Sequence, residues 1–486
     1  MKTSKQLSSV HPGYAEYAYR WDYYMRSYMG AEEYRDGAYL RKYIAEDQAP
    51  GNQYQQRLVD TALQNHTRQV VDAYRSFLFR NPPRRTMGPL ADNQFAMQFL
   101  HNADLDYTTL NDFMREVNDM VTIYGGAWIG MDRPAYQVET VAQELAEDIR
   151  SYATLFSPTN VRDWSYSKKT NGQRVLDYVK VIDESYEDYD VVRCWHSDMI
   201  EVYTVQKGDA AEYTLRETGI HELNNVRDSI AIDYGKILNY TEYENKLGYV
   251  PFVFVQTDKS FHKGVGTSAV GDVCDLQREI YNLTSELYQT IRISSAPSIV
   301  AEPAAEINGG AGAIITIPED TNNVPFLLQP TGASVDGILK SIQQKVDAID
   351  ELSHLTAIKA KKGPQSGISL QVEKEMLNAK LADTAGVLEA AEKKIWMMWF
   401  DLQGIAQPEE FYVEYEKKFD LRDKHQELSL YASALATVPH DSFKHYMHNA
   451  IARLMIDDES DLQLVLDSIA DDHANMNVVV PGTDES

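Results

Sequence analysis

From Ser268 to Leu402 the apolar positions run through helix, a short β-rich excursion, helix, a Lys/Gly loop and a very long helix. The first helix is predicted from about Ser268 to Ser295. Val273, Leu276, Ile280, Leu283, Leu287 and Ile291 step by 3, 4, 3, 4 and 4, the stripe of a single helical face. Offset from it lies a second stripe, Asp272, Asp275, Glu279 and Glu286. One face asks for packing and the adjacent face is acidic. Pro297 stops the helix, because proline lacks the N–H and disfavours helical backbone before it.

Residues 296–330 change character. Ser298–Val300 and Ala313–Ile317 are short β-type runs, punctuated by Gly309, Gly310 and Gly312 and bounded by Pro318, Pro325 and Pro330. A second helix is predicted over Ser334–Leu355, where Val335, Leu339, Ile342, Val346 and Ile349 step by 4, 3, 4 and 3, a seam suited to another helix. Asp336, Asp347, Asp350 and Glu351 make its remainder mostly negative, against Lys340 and Lys345. Thr356–Ile368 then carries Lys359, Lys361 and Lys362 and no acid, with Gly363-Pro364 and Ser366-Gly367 as breakers. Leu370, Leu377, Leu381, Leu388, Ile395 and Leu402 predict a third helix over Ser369–Gln403. At 1.5 Å per residue it spans roughly 50 Å, long for a globular helix.

The flanking regions read differently from each other. Residues 1–130 are mainly helical, with helices expected over Tyr54–Phe79 and Leu110–Tyr124. Tyr14–Met29 is dense in aromatics (Tyr14, Tyr17, Tyr19, Trp21, Tyr23, Tyr24, Tyr28), either a packing surface or a platform for stacked bases. Lysines do not surround the cluster, which favours packing. Residues 127–256 are β-rich. Strands are expected over Ala127–Met131, Leu176–Ile182, Val191–Val205, Glu212–Arg216, Lys236–Tyr243 and Val250–Gln256, with a helix over Val138–Tyr152. Their turn signals predict a largely antiparallel sheet. Residues 404–486 return to helix at Asp423–Thr437, Ser442–Met455 and Asp461–Ala470, before a polar tail. The expected class is α+β, predominantly helical.

This succession resembles the portal protein of tailed bacteriophages. The resemblance implies an α+β wing (1–267), a first stem helix (268–295), a small clip (296–330), a second stem helix (331–355) and a tunnel loop (356–368). A long wing helix and its return follow (369–435), then a helical crown (436–486). Ser157–Trp164 is similar to the strand lead of the portal wing, and Val250–Phe254 with Gly264–Ser268 to the approach to the first stem helix. The Ser366-Gly367 pair is similar to the loop exit in many portals. By that resemblance the chain would form a ring, usually of twelve subunits, at one capsid vertex of a virion made in a bacterial cytoplasm. Its partners would be the major capsid and scaffolding proteins, the terminase large subunit, a head-tail adaptor and double-stranded DNA passing through. Lys359, Lys361, Lys362, Gly363, Ser366 and Gly367 would form the tunnel loop, and Asp272, Asp275, Glu279, Glu286, Asp347 and Asp350 would face the channel. No cofactor is implied, and the protein itself would hydrolyse nothing.

Charge sharpens this picture. The chain has 46 basic and 73 acidic residues among 486, a net charge of −27. A protein that grips DNA by its phosphates should be basic. An acidic channel that repels the duplex is compatible with −27, and so is plain solubility. Cys194 and Cys274 lie in apolar patterns and are expected as buried thiols. Neither a run of 18 apolar residues nor a signal-peptide pattern is present, so a soluble, membrane-free protein is expected.

Enzyme signatures are weak. Gly264-Val-Gly266-Thr-Ser-Ala269 matches the looser dinucleotide fingerprint, but no second βαβ unit follows. Gly266 to Gly271 has the spacing of a phosphate loop, with Asp272 where the lysine should stand. These glycines are expected to make a bend into the first stem helix. His440, His445 and His448 near Asp441 and Asp457-Asp458 lack the glutamate of a zinc-protease helix. No G-x-S-x-G elbow or C-x-x-C pair occurs. Two other readings remain: a nucleotide-binding α+β enzyme using Gly264–Gly271, and another oligomeric virion scaffold protein.

Overall fold

The computed structural model describes the chain apart from residues 37–38, 44–45, 47–51, 135–139, 209–233, 296–297, 301–305, 308–314, 317–325, 329–331, 358–366, 420–423, 439, 456–464, 467 and 470–486. The class is α+β with helix predominant, and the sheets are open. Two compact units divide it, Met1–Phe419 and Asp420–Ser486.

The first unit opens with α1 (Ser4–Ser8), α2 (Pro12–Met29), α3 (Ala31–Asp36), α4 (Gln53–Asp60) and α5 (His66–Leu78). Strand β1 (Arg84–Thr86), α6 (Gln94–His101), α7 (Leu110–Tyr124), β2 (Gly126–Asp132), α8 (Val141–Ala146) and β3 (Tyr152–Phe156) follow. Next come β4 (Val161–Lys168), β5 (Arg174–Ser185), β6 (Tyr189–His196), β7 (Met199–Lys207), β8 (Tyr234–Glu244) and β9 (Phe252–Gln256). Strands β4 to β8 form an antiparallel meander, while β2 lies between β3 and β9 in a separate three-stranded sheet.

Helix α9 (Gly271–Ser295) leads to four short strands, β10 (Ser298–Val300), β11 (Glu306–Ile307), β12 (Ile315–Thr316) and β13 (Phe326–Leu328). They pair antiparallel as β10 with β13 and β11 with β12. Helix α10 (Gly332–Leu352) and the 37-residue α11 (Gly367–Gln403) follow, then β14 (Tyr412–Glu414), which pairs with β1. The second unit contains α12 (Lys424–Thr437) and α13 (Asp441–Met455), packed on each other.

Three expectations need correction. Tyr54–Phe79 is two helices, not one. Thr61 Oγ1 donates back to the Arg57 carbonyl at 2.7 Å, and Asn65 Oδ1 accepts the Arg68 N–H at 2.8 Å to cap a fresh start. The helix expected over Val138–Tyr152 shrinks to Val141–Ala146, and Tyr152 already belongs to β3, paired with Asp132. Val191–Val205 is a hairpin: β6 and β7 pair across the tight turn at Ser197-Asp198. The strand expected over Glu212–Arg216 and most of the helix expected over Asp461–Ala470 lie outside the described residues.

Tryptophans 128, 164, 396 and 399 are fully buried in the first unit. At its centre α11 packs against β2, β9, α5, α7 and β14. A charged pair is buried within this packing: Arg85 Nε reaches Glu392 Oε1 at 2.5 Å, with Glu392 fully buried. Tyr415 Oη donates to Glu392 Oε2 at 2.7 Å and Arg85 Nη1 to Asn111 Oδ1 at 2.6 Å, so the pair is hydrogen-bonded as burial requires. The five-stranded sheet holds α1 by a buried cation. Lys180, with no exposed surface, donates to the Leu7 carbonyl at 3.1 Å, where a helix C-terminus favours positive charge. Both cysteines are buried and free.

The start of α2 depends on a neutral imidazole. His11 Nδ1 accepts the Gly13 N–H at 3.0 Å, and its ring stacks on Trp164 with centroids 4.0 Å apart. Burial, helped by nearby His262, pushes the His11 pKa down to about 4. Unfolded, it titrates near 6.5. The stabilisation is therefore complete above pH of about 6.5 and is lost as the pH falls towards 4. His11→Asn, a capping residue that does not titrate, is expected to flatten the pH dependence of the unfolding midpoint across this window. Parallel pH profiles for wild type and variant would contradict the assignment.

Candidate functional site

The helical pair α9 and α10 is set by a glycine contact at its base. Helix α7 ends at Gly125 in the left-handed region (φ +85°). A Cβ on Gly125 would lie 2.4 Å from the Thr267 backbone, and one on Gly266 would lie 1.9 Å from the Gly125 carbonyl oxygen. The segment before α9 is thus pressed backbone to backbone onto the end of α7. Ser268 Oγ donates to the Ile123 carbonyl at 2.6 Å, and the Ala269 N–H to Thr122 at 3.1 Å. Gly264 (φ +87°) makes the preceding bend, where a Cβ would lie 2.4 Å from the Trp164 ring. The glycines of the dinucleotide-like pattern are accounted for by protein packing, and α9 begins only at Gly271.

The chain runs out along α9 and back along α10, and β10 pairs with β13 where the helices join the insertion. Val273, Ile280 and Leu287 are buried, as is Ile349 from α10. The stripe on α9 and the seam on α10 do not stay covered along their length: Ile291 of the stripe and Leu339 of the seam are exposed.

Of the channel candidates, Asp272, Asp275, Glu279, Glu286 and Asp347 are exposed and Asp350 is half-buried. They are not equivalent. Glu279 pairs with Lys345 across the two helices. Asp275 pairs with Arg278 at 3.3 Å and accepts from Tyr23 Oη at 3.2 Å, and Asp347 accepts from Gln343 at 2.9 Å. Lys359, Lys361, Lys362, Gly363 and Ser366 lie outside the described residues, and Gly367 is the first residue of α11. The aromatic cluster of α2 is a packing element. Tyr14 and Trp21 are buried, and Tyr23 Oη donates to the Cys274 carbonyl of α9 at 2.7 Å.

One arrangement had no signal in the sequence. Tyr74 of α5 donates its hydroxyl to the Ser353 carbonyl at 2.8 Å, just beyond α10, and accepts from Lys380 Nζ of α11 at 3.1 Å. The ammonium also lies 4.8 Å from the Tyr74 ring centroid, and burial lowers its pKa. One phenol therefore ties together the helices on both sides of the Lys/Gly segment. Beside it His354 sits in the left-handed region (φ +56°), uncommon for a residue with a Cβ. A cavity of about 360 Å³ opens next to Lys380, with Asn118, Thr122, Asp258 and Thr384 in its wall. Among the described residues no three His, Cys, Asp or Glu side chains cluster to hold a metal, and no helix is long and apolar enough to cross a membrane.

The glycine contact gives a direct test of packing against nucleotide binding. Gly266→Ala would press Cβ into backbone atoms that cannot rotate away, a loss of about 3 kcal/mol. Thermal unfolding is expected to show that loss. A variant as stable as wild type that loses binding to a nucleotide would favour the enzyme reading instead.

No family model and no curated protein matches this chain. Among solved structures, the chain is similar to one from the virion of a native gene transfer agent particle, at 9% identity and a TM-score of 0.39, covering 82% of this chain and 94% of that one. It is also similar to a chain from the neck of an empty gene transfer agent particle computed with C6 symmetry, at 7% identity and a TM-score of 0.38, covering 86% of this chain and 94% of that one.

Proposed function

We propose that this chain is a portal protein: a ring-forming, non-enzymatic subunit whose α9–α10 pair lines an axial channel for double-stranded DNA. The observation that carries the reading is the order of elements. Among the described residues, an outgoing helix, a small paired β insertion, a returning helix and a 37-residue helix follow one another in chain order. Helices with a partly exposed apolar stripe beside an acidic one gain by packing side by side around a hole. Head-to-tail contacts that close under rotation give a ring, not a fibre.

The charge supports a conduit. Exposed carboxylates on α9 and α10 would repel a phosphate backbone and let it slide, and the lysine-rich segment after α10 would supply limited contact. In this reading the ring sits at one vertex of a virion. It receives DNA from a separate terminase motor and docks a head-tail adaptor on the β insertion. The twelve-subunit count comes from the resemblance.

Native mass spectrometry is expected to give a closed oligomer. A monomer or dimer that binds a nucleotide would move the enzyme reading ahead. Replacing Lys359, Lys361 and Lys362 together by alanine is expected to leave the ring intact and to alter DNA packaging or retention. Packaging and retention unchanged in that variant would remove the role given to the loop.

A further inference from the structure

We propose that the exposed surface around Phe261, carrying Lys168, Lys169, Arg174, Lys259 and Lys263, binds a single-stranded nucleic acid, with phosphates against the cations and an unpaired base against the phenyl ring. The inference goes beyond the ring reading and does not depend on it.

Two segments build this surface. One is the β4–β5 hairpin, where Lys168 stands directly opposite Arg174 and Tyr166 opposite Leu176. The Lys169 N–H donates to the Gln173 carbonyl at 2.8 Å and closes the turn. The other is the segment between β9 and α9. Lys259 and Gly266 form an antiparallel bridge there. Ser260 Oγ donates to the Val265 carbonyl at 2.9 Å and accepts the His262 N–H at 3.2 Å. The two segments are joined. Trp164 Nε1 of β4 donates to the Lys263 carbonyl at 2.7 Å, and Lys263 Nζ lies 3.7 Å from the Tyr166 ring centroid. Burial, and then the nearby Arg174 charge, push the Lys263 pKa down.

Charge selects the occupant. The five cations are exposed on a chain of net charge −27, and the acids close by in sequence are turned to other groups. Asp163 pairs with Lys180 at 3.9 Å, and Asp177 accepts from Ser165 at 2.9 Å. Asp258 lies in the wall of the cavity beside Lys380, and Glu16 meets His262 at 2.9 Å. Like charges directly opposite in a hairpin cost stability, and Lys168 with Arg174 is such a pair. A polyanion relieves that repulsion. Phe261, two residues from Lys259 and from Lys263, is fully exposed at 103% relative accessibility. A bare aromatic ring among unpaired cations is the combination of a single-strand platform, where phosphates meet charge and a base stacks on the ring. A duplex keeps its bases in its own stack, and a carboxylate surface would satisfy the lysines alone. Either would leave the ring without a partner.

Fluorescence anisotropy of the full chain with a labelled oligothymidylate of about 16 nucleotides tests the proposal. Wild type is expected to bind, with affinity falling as salt rises. Phe261→Ser is expected to bind roughly tenfold more weakly with the same salt dependence, the scale of one stacked base. Lys168→Gln/Arg174→Gln and Lys259→Gln/Lys263→Gln are each expected to lower the slope of log affinity against log salt by about 0.7 per cation removed. The unfolding midpoint of Phe261→Ser should match wild type. That of Lys168→Gln should be no lower, because a repulsion is removed. Absence of binding by wild type at about 50 mM salt would overturn the proposal. So would binding unchanged in Phe261→Ser, or equal or tighter binding of a blunt duplex of the same length. Loss of binding on replacing Lys359, Lys361 and Lys362 by alanine, with the surface variants unaffected, would place the contact on the loop and overturn it as well. Ring closure is read separately, by oligomer mass, and stands or falls without these results.

Discussion

The packing of α11 is the constraint on which the rest of the first unit depends. This helix touches the three-stranded sheet through β2 and β9, the helical layer through α5 and α7, and the β1–β14 ribbon through β14. Its central turns bury Leu388, Ile395, Trp396 and Trp399. Burial on several sides forces its fully buried carboxylate, Glu392, to be paired with Arg85 and Tyr415. A carboxylate left alone at that depth would cost several kcal/mol. The same helix supplies Lys380, which reaches Tyr74 and through it the end of α10. The long helix therefore fixes where the outgoing and returning pair stands relative to the body.

The glycine contact at Gly125 and Gly266 completes that placement from the other side. Helix α7 is pinned to β2 directly after Gly125, and the segment before α9 is pinned to α7. The direction of α9 is thus set by backbone against backbone, where no side chain can adjust. The pair is thus fixed at its base by α7 and at its return by Tyr74, as the proposed ring would require of every copy.

Much of this was legible in the chain itself. Helices α9, α10 and α11 stand within a few residues of their predicted bounds, because apolar residues at spacings of three and four leave one interpretation over more than five turns. The short β insertion was legible from its glycines and prolines. The break at Thr61–Asn65 was not, because neither Gly nor Pro marks it and the cap is a single asparagine. The β6–β7 turn hid between two runs of β-formers. The Tyr74–Lys380 and Arg85–Glu392 contacts join residues more than 300 positions apart, and a lysine or glutamate on a long helix carries no spacing signal that separates a buried partner from a solvated one. The glycine pattern was legible as a bend, and the structure adds what fills the space: Gly125 and Trp164.

The surface completes the account. Acidic side chains on the paired helices and apolar side chains left exposed at Ile291 and Leu339 lie on a body held by one long helix. In the proposed ring, neighbouring copies would cover the apolar side chains and the carboxylates would face the channel. The most direct measurement is single-particle electron microscopy of the purified chain in end-on view. The account predicts rings with a central hole of about 20 Å or more, wide enough for a duplex. Closed oligomers with no axial hole, or one too narrow for a duplex, would contradict it.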